Sequence, residues 1–195
     1  MAMTLDQLEE RLKEAFGNDF KCQKYPEKNF IVVGAGTNFY KDKDGENFLR
    51  IVIELSENGE YINFFSPGAF NIAGKNKQVF LEACCMAQWM TKLIQFEYDH
   101  QDGEIRPVIE FPLEDNTVTA KQISRALRGM ASLMDTYYNF LIKAGEGVID
   151  LNIIKQSADA EKMETLRRMA AQMGIDISQL AGSGGTGSGS DVDAI

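Results

Sequence analysis

One histidine stands in the whole chain, His100, so any triad, metal site or general-base scheme that needs imidazole has to run through it. It opens His100-Gln101-Asp102-Gly103, a run of turn formers, where an imidazole is expected to be solvated. The cysteines at 22, 84 and 85 offer neither the two-residue nor the four-residue spacing that gathers thiolates around zinc. Cys84 and Cys85 stand beside Ala83, Met86 and Trp89, a setting for packing rather than for an activated thiolate. Gly34-Ala35-Gly36 lacks the third glycine of a dinucleotide-binding loop, and Thr37-Asn38-Phe39-Tyr40 do not open a helix, so a turn is expected. Asp42, Asp44 and Glu46 surround Gly45 without the twelve-residue register and closing glutamate of a calcium loop. They read as a charged hairpin tip. An enzyme would have to work with Glu97, Glu110 or Tyr98, and no spacing pairs two of these in a defined way. Neither cofactor nor metal is expected, and the chain reads as non-enzymatic.

Two other sets of residues suit binding. Lys121, Arg125 and Arg128 fall at spacings of four and three, which places them on one face of a helix. Such a row is either solvated, matched to Glu97, Asp99 and Glu110 across the sheet, or held for an acidic partner. The second set is apolar: Phe64, Phe65 and Phe70 near a strand end, with Trp89 as an anchor if it is exposed. Nine methionines and twelve phenylalanines are consistent with an adaptable apolar surface, although most of them belong in a core.

The elements that must position these residues follow from periodicity. Thr4 caps a helix in which Leu5, Leu8, Leu12 and Phe16 recur at helical spacing, ending at Gly17-Asn18. Strands are expected at Phe30–Val33, at Leu49–Leu55 with apolar residues at every second position, and at Tyr61–Phe65, with Asn58-Gly59 turning the last two into a hairpin. After Ser66-Pro67-Gly68 and Gly74, Val79, Leu81, Ala83, Met86, Ala87, Met90 and Leu93 predict a mostly buried helix. Ile94, Phe96 and Tyr98 alternate as a strand. Its partner from Ile105 to Phe111 carries Pro107, which suits an edge or a bulge. Thr117 or Thr119 caps a long helix with Ile123, Leu127, Met130, Leu133, Met134, Tyr137 and Leu141 in one stripe, ending near Gly145 and Gly147.

The fold class is therefore α+β, a twisted antiparallel sheet of about five strands with helices packed on it, plus a C-terminal helix and a flexible tail. Residues 1–150 form the domain. Residues 151–181 extend it with an amphipathic helix from about Ala158, whose narrow stripe of Met163, Leu166 and Met173 suits docking onto a neighbour or a second chain. Residues 182–195 read as a Gly/Ser linker ending in Asp191-Val192-Asp193-Ala194-Ile195, or as a remnant of expression engineering.

A net charge of -9 opposes non-specific binding to nucleic acid or anionic membrane, because phosphates would repel the average surface. No run reaches the roughly 20 apolar residues that span a bilayer. The opening residues carry no secretion leader, and an odd number of cysteines argues against a disulfide framework. A cytoplasmic location is expected.

The order helix, three strands, helix, two strands, helix resembles the YbjN-like family, which has the fold of type III secretion chaperones. The resemblance covers roughly residues 4 to 144. It is carried by Ile94-Gln95-Phe96-Glu97-Tyr98, the turn at Gly103-Glu104, the strand ending Ile109-Glu110-Phe111-Pro112-Leu113, and a helix opened by Thr117-Val118-Thr119 and containing Tyr137-Tyr138. It implies a bacterial α+β domain, commonly a homodimer, that acts by binding other proteins and contributes no catalytic residue. Together these readings give a non-enzymatic, chaperone-like or regulatory module that holds a segment of another protein. An adaptor or structural subunit working through the C-terminal helix and tail is the alternative, and a small enzyme the third.

Overall fold

The computed structural model describes residues 2–172. The chain runs through α1 (Leu5–Phe16), β1 (Gln23–Tyr25), β2 (Phe30–Gly36), β3 (Phe48–Ser56), β4 (Tyr61–Phe65), β5 (Phe70–Asn71), α2 (Lys77–Met90), β6 (Gln95–Tyr98), β7 (Glu104–Pro112), α3 (Ala120–Gly145) and α4 (Asn152–Gln172). It is an α+β fold built on one antiparallel sheet of seven strands. The two strands beyond the expected five are β1 and β5, three and two residues long, too short for an alternation to show. Contacts divide the chain into two compact units, Met1–Ala158 and Asp159–Ile195.

In the first unit the core lies on one side of the sheet. Every second residue of β3, namely Leu49, Ile51, Ile53 and Leu55, is buried there, as are Ile31, Val33, Ile62, Phe64, Ile105 and Ile109 of the neighbouring strands. Helix α1 contributes Leu5, Leu8 and Leu12, α2 contributes Phe80, Ala83, Cys84 and Ala87, and α3 contributes Ile123, Leu127, Met130, Met134, Tyr137 and Leu141. Each fully buried large aliphatic or aromatic side chain stabilises the fold by about 1.5–3 kcal/mol relative to exposure. Thr4 and Thr119 both close capping boxes, with Gln7 and Gln122. Thr119, not Thr117, is thus the cap of α3.

Gly34-Ala35-Gly36 is strand and not turn: the three residues continue β2 against Arg50, Leu49 and Phe48 of β3. The glycine there makes room for an aromatic ring, since a Cβ on Gly34 would lie 2.2 Å from Phe48 Cζ. Strand β7 is interior rather than an edge. It pairs with β6, with β4 through Val108–Pro112, and with β5 through Glu104–Ile105. Pro107 falls opposite the break between β4 and β5, where its carbonyl accepts from the Ser66 N–H at 3.2 Å. A residue with no N–H is tolerated where the ladder is already interrupted. The spacing predicts a buried helix that includes Met90 and Leu93, but α2 ends at Met90 and leaves Leu93 in the connection to β6. Both side chains are exposed, because the buried face of α2 runs through Phe80, Ala83, Cys84 and Ala87 and turns away from its last residues.

The connection from β2 to β3 is pinned to α3 by a carboxylate. Asp135, 3% exposed, accepts the backbone N–H groups of Asn38 at 2.8 Å and of Phe39 and Tyr40 at 2.9 Å each. Tyr40 then packs edge-on against Phe70 and Tyr138, and burial pushes its hydroxyl up to about 12.

Helix α4 begins in the first unit, where Ile153 and Ile154 pack on the core and Ser157 is buried. In the second unit the helix exposes Met163, Leu166 and Met169 and carries the ion pairs Lys162–Asp159 and Arg167–Glu164. Met173 and residues 182–195 lie outside the described residues.

Candidate functional site

The residues singled out for binding separate into three places. Phe64 and Phe70 are in the core: Phe64 is fully buried beside Phe111, and Phe70 packs against Phe80, Tyr40 and Tyr138. They offer no surface to a partner. Phe65 points to the other side of the sheet, as period two requires, and is half-buried under the Arg106 guanidinium, 4.6 Å above its ring. Arg106 is itself held by Glu97 at 2.7 Å. Trp89 is the exception among the aromatics. It lies in the last turn of α2 and is 90% exposed, with Met90 and Leu93 exposed beside it in sequence.

The basic row lies on the N-terminal half of α3. Lys121, Arg125 and Arg128 are all exposed, and none of the three forms a salt bridge among the described residues. The carboxylates across the sheet do not reach them. Together with Glu14, Ala15, Ala120, Ser124 and Gly129 they line an open groove of about 750 Å³ between α1 and α3. Glu14, the acid in that groove, is engaged by Arg11 at 2.7 Å. The Arg128 guanidinium lies 5.5 Å from the centroid of Phe16, a cation held over an aromatic face.

On the other flank of α3 a smaller cavity of about 230 Å³ is lined by Leu93, Ile109, Phe111, Gln122, Arg125 and Ala126. Sequence reasoning missed this cavity because its walls come from the α2–β6 connection, β7 and α3, which only the folded chain brings together. Arg125 lines both spaces. The apolar recess at Leu93 and the groove of the cation row therefore meet at Arg125, with small and apolar side chains as walls and charge at the rim. The complement of that chemistry, an acid with apolar neighbours, is what such a surface can hold.

The residues weighed for catalysis are elsewhere. His100 is exposed in the β6–β7 turn, where the Asp99 and Asp102 carboxylates accept the N–H groups of Gln101 and Glu104. Tyr98 Oη accepts from Lys77 at 3.2 Å. Cys84 is buried and desolvation pushes its thiol up to about 12, Cys22 is half-buried with its thiol also raised by burial, and Cys85 is exposed. Among the described residues no group of three or more His, Cys, Asp or Glu side chains is placed to hold a metal ion, and no helix is long and apolar enough to cross a membrane.

No protein-family model matches the chain, and no curated protein matches it. Among solved structures, that of YbjN from E. coli, described as a candidate transcription regulator, is similar over 69% of this chain and 87% of its own, with 12% sequence identity and a TM-score of 0.49.

Proposed function

We propose that the chain is a non-enzymatic protein-binding module that holds a segment of a partner protein at the end of α2 and the adjoining half of α3. The observation that carries this is Trp89. An indole brings a large apolar area and is usually buried or at an interface, and here it stands 90% exposed beside Met90 and Leu93. The cavity walled by Leu93, Ile109 and Phe111 supplies the recess into which a partner side chain can insert. The chaperone-like and regulatory roles implied by the sequence resemblance are both forms of this activity.

The test is affinity capture from extracts of the native host with the wild-type chain and with Trp89→Ala, followed by mass spectrometry. A protein retained by the wild type and lost on the substitution supports the reading. Identical captured sets, or none, count against it.

A second reading is favoured by the exposed Met163, Leu166 and Met169 of α4, an apolar stripe with no cover among the described residues of its own unit. In that reading the chain is an adaptor or a homodimer that uses α4, with residues 182–195 as a further contact. Sedimentation of the wild type against Met163→Ser/Leu166→Ser tests the homodimer, and capture after deletion of residues 182–195 tests the adaptor.

A further inference from the structure

Resting on the binding reading above, we infer that the segment held across the N-terminal half of α3 is an amphipathic helix of a partner protein with an acidic stripe. Its carboxylates meet Lys121, Arg125 and Arg128, and an apolar side chain at its edge enters the cavity bounded by Leu93, Ile109 and Phe111.

Charge is the first argument. In a chain of net charge -9 this row gathers three cations on one helix face, a local basic patch, whereas Lys13, Lys24, Arg106 and Lys143 are each paired with an acid. The three cations of this row are not, and the acid nearest to them in the groove, Glu14, is already engaged by Arg11. The helix itself adds to the positive potential. No acidic residue occupies the first turn of α3, while Lys121 does, at the end where the peptide dipoles favour an anion and disfavour an ammonium group. A folded monomer gains nothing from that arrangement, whereas a docked carboxylate would be attracted by the row and by the helix end together.

Geometry is the second. Positions 121, 125 and 128 rise by about 10 Å along α3, two turns of helix, so acids spaced by four and three residues on a partner helix match them in register. The groove floor allows the backbone of such a helix to come close. Ala15, Ala120, Ser124 and Gly129 present little side chain, and a Cβ on Gly129 would meet nothing within 4 Å. Glycine in a helix interior destabilises it by roughly 1 kcal/mol relative to alanine. Arg125 joins the two halves of the site, since it borders both the charged groove and the apolar cavity.

The experiment uses the full chain and three synthetic helical peptides of about 18 residues with a common leucine stripe. One carries Glu at spacings of four and three beside the stripe, one Gln and one Lys at the same positions. Binding is read by the fluorescence of Trp89, the one tryptophan of the chain, and by anisotropy of the labelled peptide at about 50 and about 300 mM salt. The Glu peptide is expected to bind at least about tenfold more tightly than the Gln peptide, with the Lys peptide weakest and the preference shrinking at the higher salt. Arg125→Glu should remove the preference for Glu. Gly129→Ala, which should raise the stability of the chain, should nevertheless weaken the Glu peptide, so loss of binding cannot be laid to misfolding.

Equal binding of the Glu and Gln peptides, both lost in Trp89→Ala, overturns the acidic helix and leaves the protein-binding reading standing. No binding of the Glu peptide at about 1 mM overturns the inference too, and host-extract capture then decides the broader reading by itself. Tighter binding of a single-stranded oligonucleotide than of the Glu peptide would reassign the row to phosphate recognition. Concentration-dependent sedimentation abolished by Arg125→Glu would reassign it to a second copy of the chain.

Discussion

Helix α3 carries Arg125 and, further along, Asp135, and the fold treats the two charges in opposite ways. Asp135 is buried and accepts three backbone N–H groups from the β2–β3 connection. Arg125 stands exposed between two cavities and forms no salt bridge among the described residues. A carboxylate taken out of water is stable only when its oxygens are occupied, and that requirement makes Asp135 part of the architecture. An exposed guanidinium loses little by waiting, which makes Arg125 available. The same helix is a structural brace at Asp135 and, in the proposed reading, a recognition surface at Arg125, and solvation of the charge decides which.

The contrast is broken most directly at its buried side. Asp135→Ala removes the acceptor and strands three N–H groups, so it should lower stability by about 3 kcal/mol, read as the shift of a urea unfolding midpoint. Peptide binding per folded molecule should be unchanged. A loss below about 0.5 kcal/mol would mean that the β2–β3 connection is satisfied without the pin.

Next in size is Gly59→Ala. Gly59 has a φ of 90°, and its added Cβ would lie 2.1 Å from the backbone oxygen of Met3. About 2 kcal/mol of destabilisation is expected by the same unfolding measurement. Thr119→Ala removes the side chain that caps α3 beside the basic row and should destabilise by about 1 kcal/mol.

A smaller effect is expected at Glu9, where hydrogen bonds from Lys13 and then Lys24 lower the carboxyl to about 2. Because the folded value lies below the unfolded one of about 4.5, its contribution is present above that unfolded value and fades as the pH falls through about 2. Unfolding midpoints of Glu9→Gln against wild type should therefore differ near neutral pH and converge in acid.

The smallest change in stability should come from the recognition side. Trp89→Ala and Arg125→Ala should each stay within about 0.5 kcal/mol of wild type while reducing partner capture. A large destabilisation by either would place that residue with Asp135, in the framework.

Much of this layout is legible in the sequence. The stripe Ile123, Leu127, Met130, Leu133, Met134, Tyr137 and Leu141 states which face of α3 is turned to the core, with Leu133 at its half-buried edge, and Thr4 announces where α1 begins while Thr117 and Thr119 bracket the start of α3. Trp89 could have been assigned to the surface from helical spacing, since it lies across α2 from Ala83, Cys84 and Ala87. Period two likewise separates Phe64 from Phe65, though residue type alone leaves all four aromatics as equal candidates for a groove. The cavity at Leu93 and Phe111 is illegible because three elements distant in sequence make its walls. Asp135 is illegible for a different reason: its partners are peptide N–H groups, which every residue but proline carries, so no side-chain identity records the contact.

The bonds to Asp135 join positions 95, 96 and 97 residues apart in the chain. Contacts of such separation close late, after most of the loop-closure entropy between them has been lost. The amide protons of Asn38, Phe39 and Tyr40 are therefore a clock for the docking of α3. They should exchange with deuterium only when that helix lifts from the sheet, and the loop that carries them, although irregular, should be as slow to exchange as the strands on either side.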